Sequence, residues 1–112
     1  MDKPTPKERA AHILLAIKRI KEFVDGVDEA RFLKDIQLQA AVQYEFLIIG
    51  EAIRYIDPVV LSKYNYPWHI LRSFRNFIIH VYHGIKMERI YYATQDLDTL
   101  QRLIETILKD EF

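Results

Sequence analysis

The sequence predicts an all-α protein, with residues 1–112 forming a single domain that folds as an up-and-down bundle of four main helices and a short fifth. Three observations lead to this prediction. Apolar residues recur at spacings of three and four along most of the chain, which is the period of one helix face. Residues that start and stop helices separate these stretches. No stretch shows the apolar and polar alternation of a half-buried strand.

The first helix is predicted to begin at Pro6 and to end near the Asp-Gly pair at residues 25 and 26. Thr5 and Glu8 have the spacing of a capping box, and Pro6 suits the first helical position. The stripe that follows has the helical period: Ala10, Ile13, Leu14, Ile17, Ile20 and Val24. Residues 28–35 are expected to add a short turn of helix.

The second helix is apolar on nearly every side over residues 36–56, which is typical of a central helix with several neighbours. An Asp-Pro pair at residues 57 and 58 is expected to end it, because a residue before proline avoids helical geometry. The stretch LSKYNYPW, residues 61–68, is interpreted as a connection in which Pro67 can open the third helix, which is expected to stop at Gly84. A fourth helix is predicted from Met87, with one apolar seam: Ile90, Ala93, Leu97, Leu100, Ile104 and Ile107.

The composition limits the functions that the chain can have. The absence of cysteine excludes disulfides, thiolate zinc sites and a cysteine nucleophile. The N-terminus lacks the apolar core of a signal peptide and no apolar run could span a membrane, so we expect a cytoplasmic protein. The 16 basic residues balance the 16 acidic ones, yet residues 58–87 contain no acid and include Lys63, Arg72, Arg75 and Lys86. An anion-binding surface is therefore expected to be local and to lie in this segment.

The third helix carries the stretch SFRNFIIHVYHGI, residues 73–85, which has two unlike faces on a wheel of about 100° per residue. One arc is apolar: Ile70, Leu71, Phe74, Phe77, Ile78 and Val81. The other arc is polar apart from Ile79 and has no Asp, Glu or Lys: Arg72, Ser73, Arg75, Asn76, His80, Tyr82 and His83. Arginine has a planar fork of donors for phosphate, and histidine changes protonation near neutral pH. This polar face is a candidate reaction site, although a buried polar network or a dimer contact fits the same pattern.

The spacing within the polar face raises a geometric problem. Arg75 and His80 are about 140° apart on an ideal helix, so they can serve one substrate only if they flank a groove or meet residues of a second subunit. Asn76 lies one turn before His80, where its amide can fix which imidazole nitrogen carries the proton. The spacing alone thus hints at a site at an interface.

The segment RNFIIHVY, residues 75–82, matches the R-x4-H-x-Y motif, and the chain resembles the HepT-like toxins, a branch of the HEPN superfamily of all-helical ribonucleases. IIGEA at residues 48–52, YPW at residues 66–68 and HG at residues 83–84 resemble the family in order and spacing. The resemblance implies a homodimer in which two such segments face each other across a cleft. It also implies a metal-independent endoribonuclease without a cofactor, which acts as a toxin and is silenced by a minimal nucleotidyltransferase antitoxin.

The resemblance also assigns roles to individual residues. His80 would be the general base or acid at the RNA 2'-hydroxyl and the leaving oxygen, and Arg75 would bind the scissile phosphate. Asn76 would orient His80 or the phosphate. Tyr82 would line the site and receive AMP from the antitoxin. The expected product is a 2',3'-cyclic phosphate end.

Several interpretations stay open at this stage. Glu51, in an otherwise apolar helix, either forms a structural ion pair with Arg75 or Arg72 or helps to shape the ribonuclease site. His80 and His83 have a spacing that can hold one metal ion, but no carboxylate on that face matches them, so no metal site is predicted. The alternative function is a non-catalytic helical partner or substrate-binding subunit of a nucleotidyltransferase, with the polar face as its docking surface.

Overall fold

The computed structural model describes residues 3–80 and 86–112, and for residues 75 and 77–80 it describes the helical backbone alone. The predicted helix end at Gly84 therefore lies outside the described residues, as do Tyr82 and His83. The same holds for the side chains of Arg75 and His80.

The described chain is built from helices and contains no strand, which confirms the predicted all-α class. Its four long helices are joined by three short ones. In chain order they are α1 Pro6–Val24, α2 Glu29–Phe32, α3 Ile36–Arg54, α4 Pro58–Ser62, α5 Trp68–His80, α6 Met87–Thr94 and α7 Asp98–Asp110. Among the described helices, none combines the length and the apolar character needed to cross a membrane.

Short polar side chains begin four of these helices by accepting a backbone hydrogen bond, as the N-cap rule requires. Thr5 Oγ1 accepts from the amide of Glu8 at 3.1 Å, which confirms the predicted start of α1. Asp28, Asp35 and Asp57 do the same for α2, α3 and α4. At the other end of α1, Gly26 has a φ of 71°, a left-handed conformation that a residue without a side chain adopts at little cost.

Two predicted segments differ from the structure. The short helix α4, Pro58–Ser62, was not predicted: it covers residues 58–60, to which no element was assigned, and the first two residues of the predicted connection, and its only fully buried side chain is Leu61. The single helix predicted from Met87 is two helices, because α6 ends at Thr94 and α7 begins at Asp98. Thr94, rather than the predicted Ala93, is the buried residue before this break, and its hydroxyl donates to the carbonyl of Tyr91.

Helix α3 is the centre of the bundle, as its apolar character predicts. It packs against α1 on one side and α5 on the other, while α7 packs against α1. The rings of Phe46 on α3 and Phe74 on α5 lie 4.9 Å apart and join these two helices. The outer face of α3 is nevertheless open, because Ile36 is 78% and Tyr44 is 59% exposed.

The connection before α5 is held by side-chain bonds. The indole of Trp68 donates to the carbonyls of Leu61 and Tyr64 at 3.0 and 3.2 Å, which fixes the first residue of α5. Glu111 accepts from Lys63 Nζ and from the Tyr64 hydroxyl, each at 2.9 Å. These bonds hold the pKa of Glu111 below its usual value. Lys63 is therefore paired with a carboxylate and adds little to the anion-binding surface that was predicted to include it.

Phe46→Ala is expected to lower the free energy of unfolding by about 3 to 5 kcal/mol, since it removes a fully buried ring at the junction of α3 and α5. Urea denaturation followed by circular dichroism measures the loss. Tyr92→Ala is the matched control, because it removes an aromatic ring that is 61% exposed and should cost about 0.5 kcal/mol. Equal losses in both variants would contradict this account of the core.

Candidate active site

The polar face predicted for the third helix is present on α5. Arg72, Ser73 and Asn76 are exposed, while Leu71 is buried and Phe74 is half-buried against the core. Ile70 is an exception, since it was predicted on the core face and is 53% exposed. It lies in the first turn of α5, and a helix end has fewer neighbours than a helix middle. The wheel therefore predicts this face correctly along the described side chains after the first turn.

A cleft lies between α3 and α5, next to the polar face. It has a volume of about 340 Å³ and is lined by Gly50 and Arg54 of α3 and by Arg72 and Asn76 of α5. Within each helix the two lining residues are four positions apart, so they share one face. Neither arginine forms an ion pair with any described residue. The cleft thus offers two guanidinium groups, which suit an anion.

Glu51 lies on a different side of α3. It is half-buried and lines a groove of about 260 Å³ together with Arg9 and His12 of α1 and with Tyr44, Leu47, Ile48 and Ala52 of α3. Among the described side chains no ion pair joins Glu51 to Arg72. The other predicted partner, Arg75, has its side chain outside the described residues. The Arg9 guanidinium lies 4.3 Å from the centre of the Tyr55 ring at the same face of α3.

The sequence analysis did not single out two charged residues of α3, Glu45 and Arg54, whose positions in the structure are notable for burial and for the cleft. Glu45 is the more deeply buried carboxylate of α3, at 4% exposure, and its Oε1 lies 3.8 Å from Nη1 of Arg19 on α1. The argument made for Glu51, that a carboxylate in an apolar helix needs a partner, fits Glu45 at least as well. Arg54 was missed because the search for basic residues was confined to the acid-free segment after residue 57.

The predicted catalytic residues are placed only by their position in the chain. Arg75 lies within α5 and His80 is its last described residue, whereas Tyr82 lies outside the described residues. Asn76, which follows Arg75, is exposed at the cleft. In the described part of the chain, no three His, Asp or Glu side chains gather where they could hold a metal ion. The structure therefore describes what lies around the motif, namely the backbone of α5, the side chain of Asn76 and the cleft between α3 and α5.

The fold and the cleft define a class of protein: a small helical bundle with a basic cleft beside an Arg- and His-bearing helix. Comparison with known proteins makes this more specific. The family model described as "Ribonuclease HepT-like" matches residues 13–107, and the chain belongs to this HepT-like family.

Two proteins illustrate the relationship. The chain is 30% identical over 110 residues to "Putative RNase TTE0752" of Caldanaerobacter subterraneus subsp. tengcongensis, covering 96% of this chain and 97% of that protein. It is 29% identical over 109 residues to "Putative RNase MJ1380" of Methanocaldococcus jannaschii, covering 96% and 100%. No solved structure matches the chain. The family match is consistent with the resemblance that the motif and the helix order indicated.

Proposed function

We propose that this protein is an endoribonuclease that cuts RNA without a metal ion, at a site formed by Arg75 and His80 where two copies of the chain meet. One observation carries the proposal. The Arg75 and His80 positions of the R-x4-H-x-Y motif lie on helix α5, next to a basic cleft, in a chain of the HepT-like ribonuclease family. The names of the relatives, which describe them as RNases, support the same activity.

In the proposed reaction the RNA supplies its own nucleophile. His80 accepts the proton of a 2'-hydroxyl, whose oxygen then attacks the adjacent phosphorus. The bond from phosphorus to the 5'-oxygen of the next nucleotide breaks, and that oxygen takes up the proton that His80 holds, which returns His80 to its starting state. Arg75 stabilises the negative charge that grows on the phosphoryl oxygens, and Asn76 orients the phosphate or His80. The products are a 2',3'-cyclic phosphate end and a 5'-hydroxyl end.

The outer face of α3 supports the proposed dimer. Ile36, Tyr44 and Tyr55 are large and exposed, and on a helical wheel they fall within an arc of about 100°. They are spread along about 29 Å of the helix axis, so they form an exposed row that a partner helix could contact rather than one compact patch. Because α5 packs directly on α3, a second copy seated on this face would lie close to the polar face of α5. The second subunit could then supply the Arg75 or His80 that completes a site, since these two residues are about 140° apart on one helix.

The activity is tested with the purified wild-type chain, freed of bound nucleotide, and a labelled RNA. We expect cleavage that continues in excess EDTA and leaves 2',3'-cyclic phosphate ends, identified by their resistance to phosphatase until acid opens the ring. Cleavage that stops in EDTA and returns with added metal ion would contradict the metal-free mechanism. Absence of cleavage on all RNAs tested would favour the alternative function as a non-catalytic partner of a nucleotidyltransferase.

The resemblance extends the proposal to regulation. We propose that the chain is the toxin of a toxin–antitoxin pair and that a minimal nucleotidyltransferase silences it by transferring AMP to the hydroxyl of Tyr82. Co-expression with such a transferase should then add one adenylyl group to the chain, and Tyr82→Phe should abolish the mass increase. An adenylylated Tyr82→Phe variant would assign the modification to another residue.

A further inference from the structure

We infer that the cleft formed by Arg54, Arg72 and Asn76 is a second phosphate subsite, which holds the RNA backbone next to the phosphate that is cut. This inference rests on the proposed function, because it takes RNA as the substrate. It goes further by assigning a binding role to Arg54, which lies on α3 and outside the motif.

The position of the cleft relative to the motif is the first argument. Arg72 and Asn76 lie on either side of Arg75 along α5, and Asn76 is its immediate neighbour. Residues three positions apart on a helix are surface neighbours, with about 5 to 6 Å between their Cβ atoms, so the positions of Arg72 and Arg75 suit contacts with neighbouring phosphates of one strand.

The available charge is the second argument. Among the described residues, three basic side chains are paired with carboxylates: Arg19 with Glu45, Lys21 with Asp98 and Lys63 with Glu111. The two arginines of the cleft form no such pair with the described residues, and they line one cleft whose described lining includes no acidic residue. Arg54 instead lies 5.7 Å from the Tyr55 ring, a contact that orients the guanidinium and leaves its charge in place.

The shape and chemistry of the lining are the third argument. Gly50 is buried and has no side chain, so backbone forms part of the cleft wall. Arginine forks match the oxygens of a phosphate, which they can bind with two parallel hydrogen bonds. The described lining consists of a glycine, an asparagine and two arginines, and no aromatic ring is among these described residues. It therefore suits the sugar-phosphate backbone, and contacts of this kind raise affinity without reading the sequence.

The inference is tested by binding of a labelled 2'-O-methyl RNA, which lacks the attacking hydroxyl and stays intact. Arg54→Gln and Arg72→Gln should each weaken binding about 10-fold, as expected for the loss of a charge-assisted hydrogen bond. Each should also reduce the slope of log affinity against log salt by about 0.7, the value for one phosphate contact with a single strand. In cleavage assays KM should rise by a similar factor, while kcat stays within about twofold.

Arg102→Gln is the matched control, because Arg102 is an exposed arginine of α7, a helix that contributes no residue to the cleft. It removes the same charge and should leave affinity and salt slope unchanged. Thermal melting by circular dichroism verifies that all three variants fold. An equal loss of RNA affinity in Arg102→Gln and in the cleft variants would show a general charge effect and would overturn the subsite. Binding with wild-type affinity by Arg54→Gln and Arg72→Gln would overturn it as well.

The outcome is separable from that of the proposed function. If the wild-type chain cuts no RNA but the cleft variants lose binding, the ribonuclease proposal fails, and the cleft remains a binding site for the RNA backbone without a role beside a cut phosphate. If the wild type cuts RNA and the cleft variants keep its KM, only the subsite fails. Competition with free AMP tests whether the cleft binds the phosphate of an RNA backbone or that of a free nucleotide. Displacement of the RNA by equimolar AMP would assign the cleft to a nucleotide and would overturn its assignment to the RNA backbone.

Discussion

His80→Ala is expected to lower the rate of RNA cleavage by at least about 100-fold, because it removes the group proposed to take the proton from the 2'-hydroxyl. His80 is the last described residue of α5, and the wheel places it on the polar face, so its loss should leave the core intact. Single-turnover cleavage of a labelled RNA measures the chemical step. The thermal midpoint should stay within a few degrees of that of the wild type.

His69→Ala is the matched control for this variant. His69 is an exposed histidine in the first turn of the same helix, about 16 Å along the axis from His80. Its replacement changes the same residue type on the same element and should leave cleavage unchanged. If His80→Ala cuts RNA at the wild-type rate, His80 is not the proton-transfer group, and the role of the motif as a docking surface for a nucleotidyltransferase becomes the better explanation.

The sequence predicts the long helices well because their signals are local. Thr5 and Gly26 mark the two ends of α1 through hydrogen bonding and backbone conformation that involve only neighbouring residues. Helix α4 has too few turns for its apolar period to be recognised, and Leu61 is its only fully buried side chain. The break after Thr94 is also invisible to the period, since apolar residues continue at helical spacing across it and only tertiary packing selects which of them are buried.

In the candidate site, too, features within one helix could be predicted from the sequence, whereas features that depend on packing between helices could not. The polar face of α5 follows from spacing within one helix, so Arg72 and Asn76 could be predicted. Arg54 belongs to another helix and reaches the cleft because Phe46 packs on Phe74 and brings α3 against α5. Periodicity likewise does not rank two carboxylates of one helix by burial, which is why Glu51 was singled out although Glu45 is the more buried.

Two inactive variants are expected to restore activity to each other when they form a mixed dimer. If each site combines Arg75 of one subunit with His80 of the other, a dimer of one Arg75→Ala chain and one His80→Ala chain contains one intact site and one site that lacks both groups. Such a dimer should cut RNA at about half the wild-type rate, since one of two equivalent sites is complete. Co-expression with two different affinity tags and sequential purification yields the mixed dimer for the assay.

The result distinguishes two ways in which Arg75 and His80, about 140° apart on one helix, could act on one substrate: across the subunit interface or from the two sides of a groove in one subunit. No recovery in a mixed dimer of confirmed composition would mean that the two groups act from the same subunit and flank a groove on α5. A mixed dimer of Arg75→Ala with the Arg75→Ala/His80→Ala double variant is the control, and it should stay inactive because no arrangement gives it an arginine. If no mixed dimer can be isolated and the chain sediments as a monomer, the exposed apolar face of α3 does not bind a second copy, and a site shared between subunits is excluded.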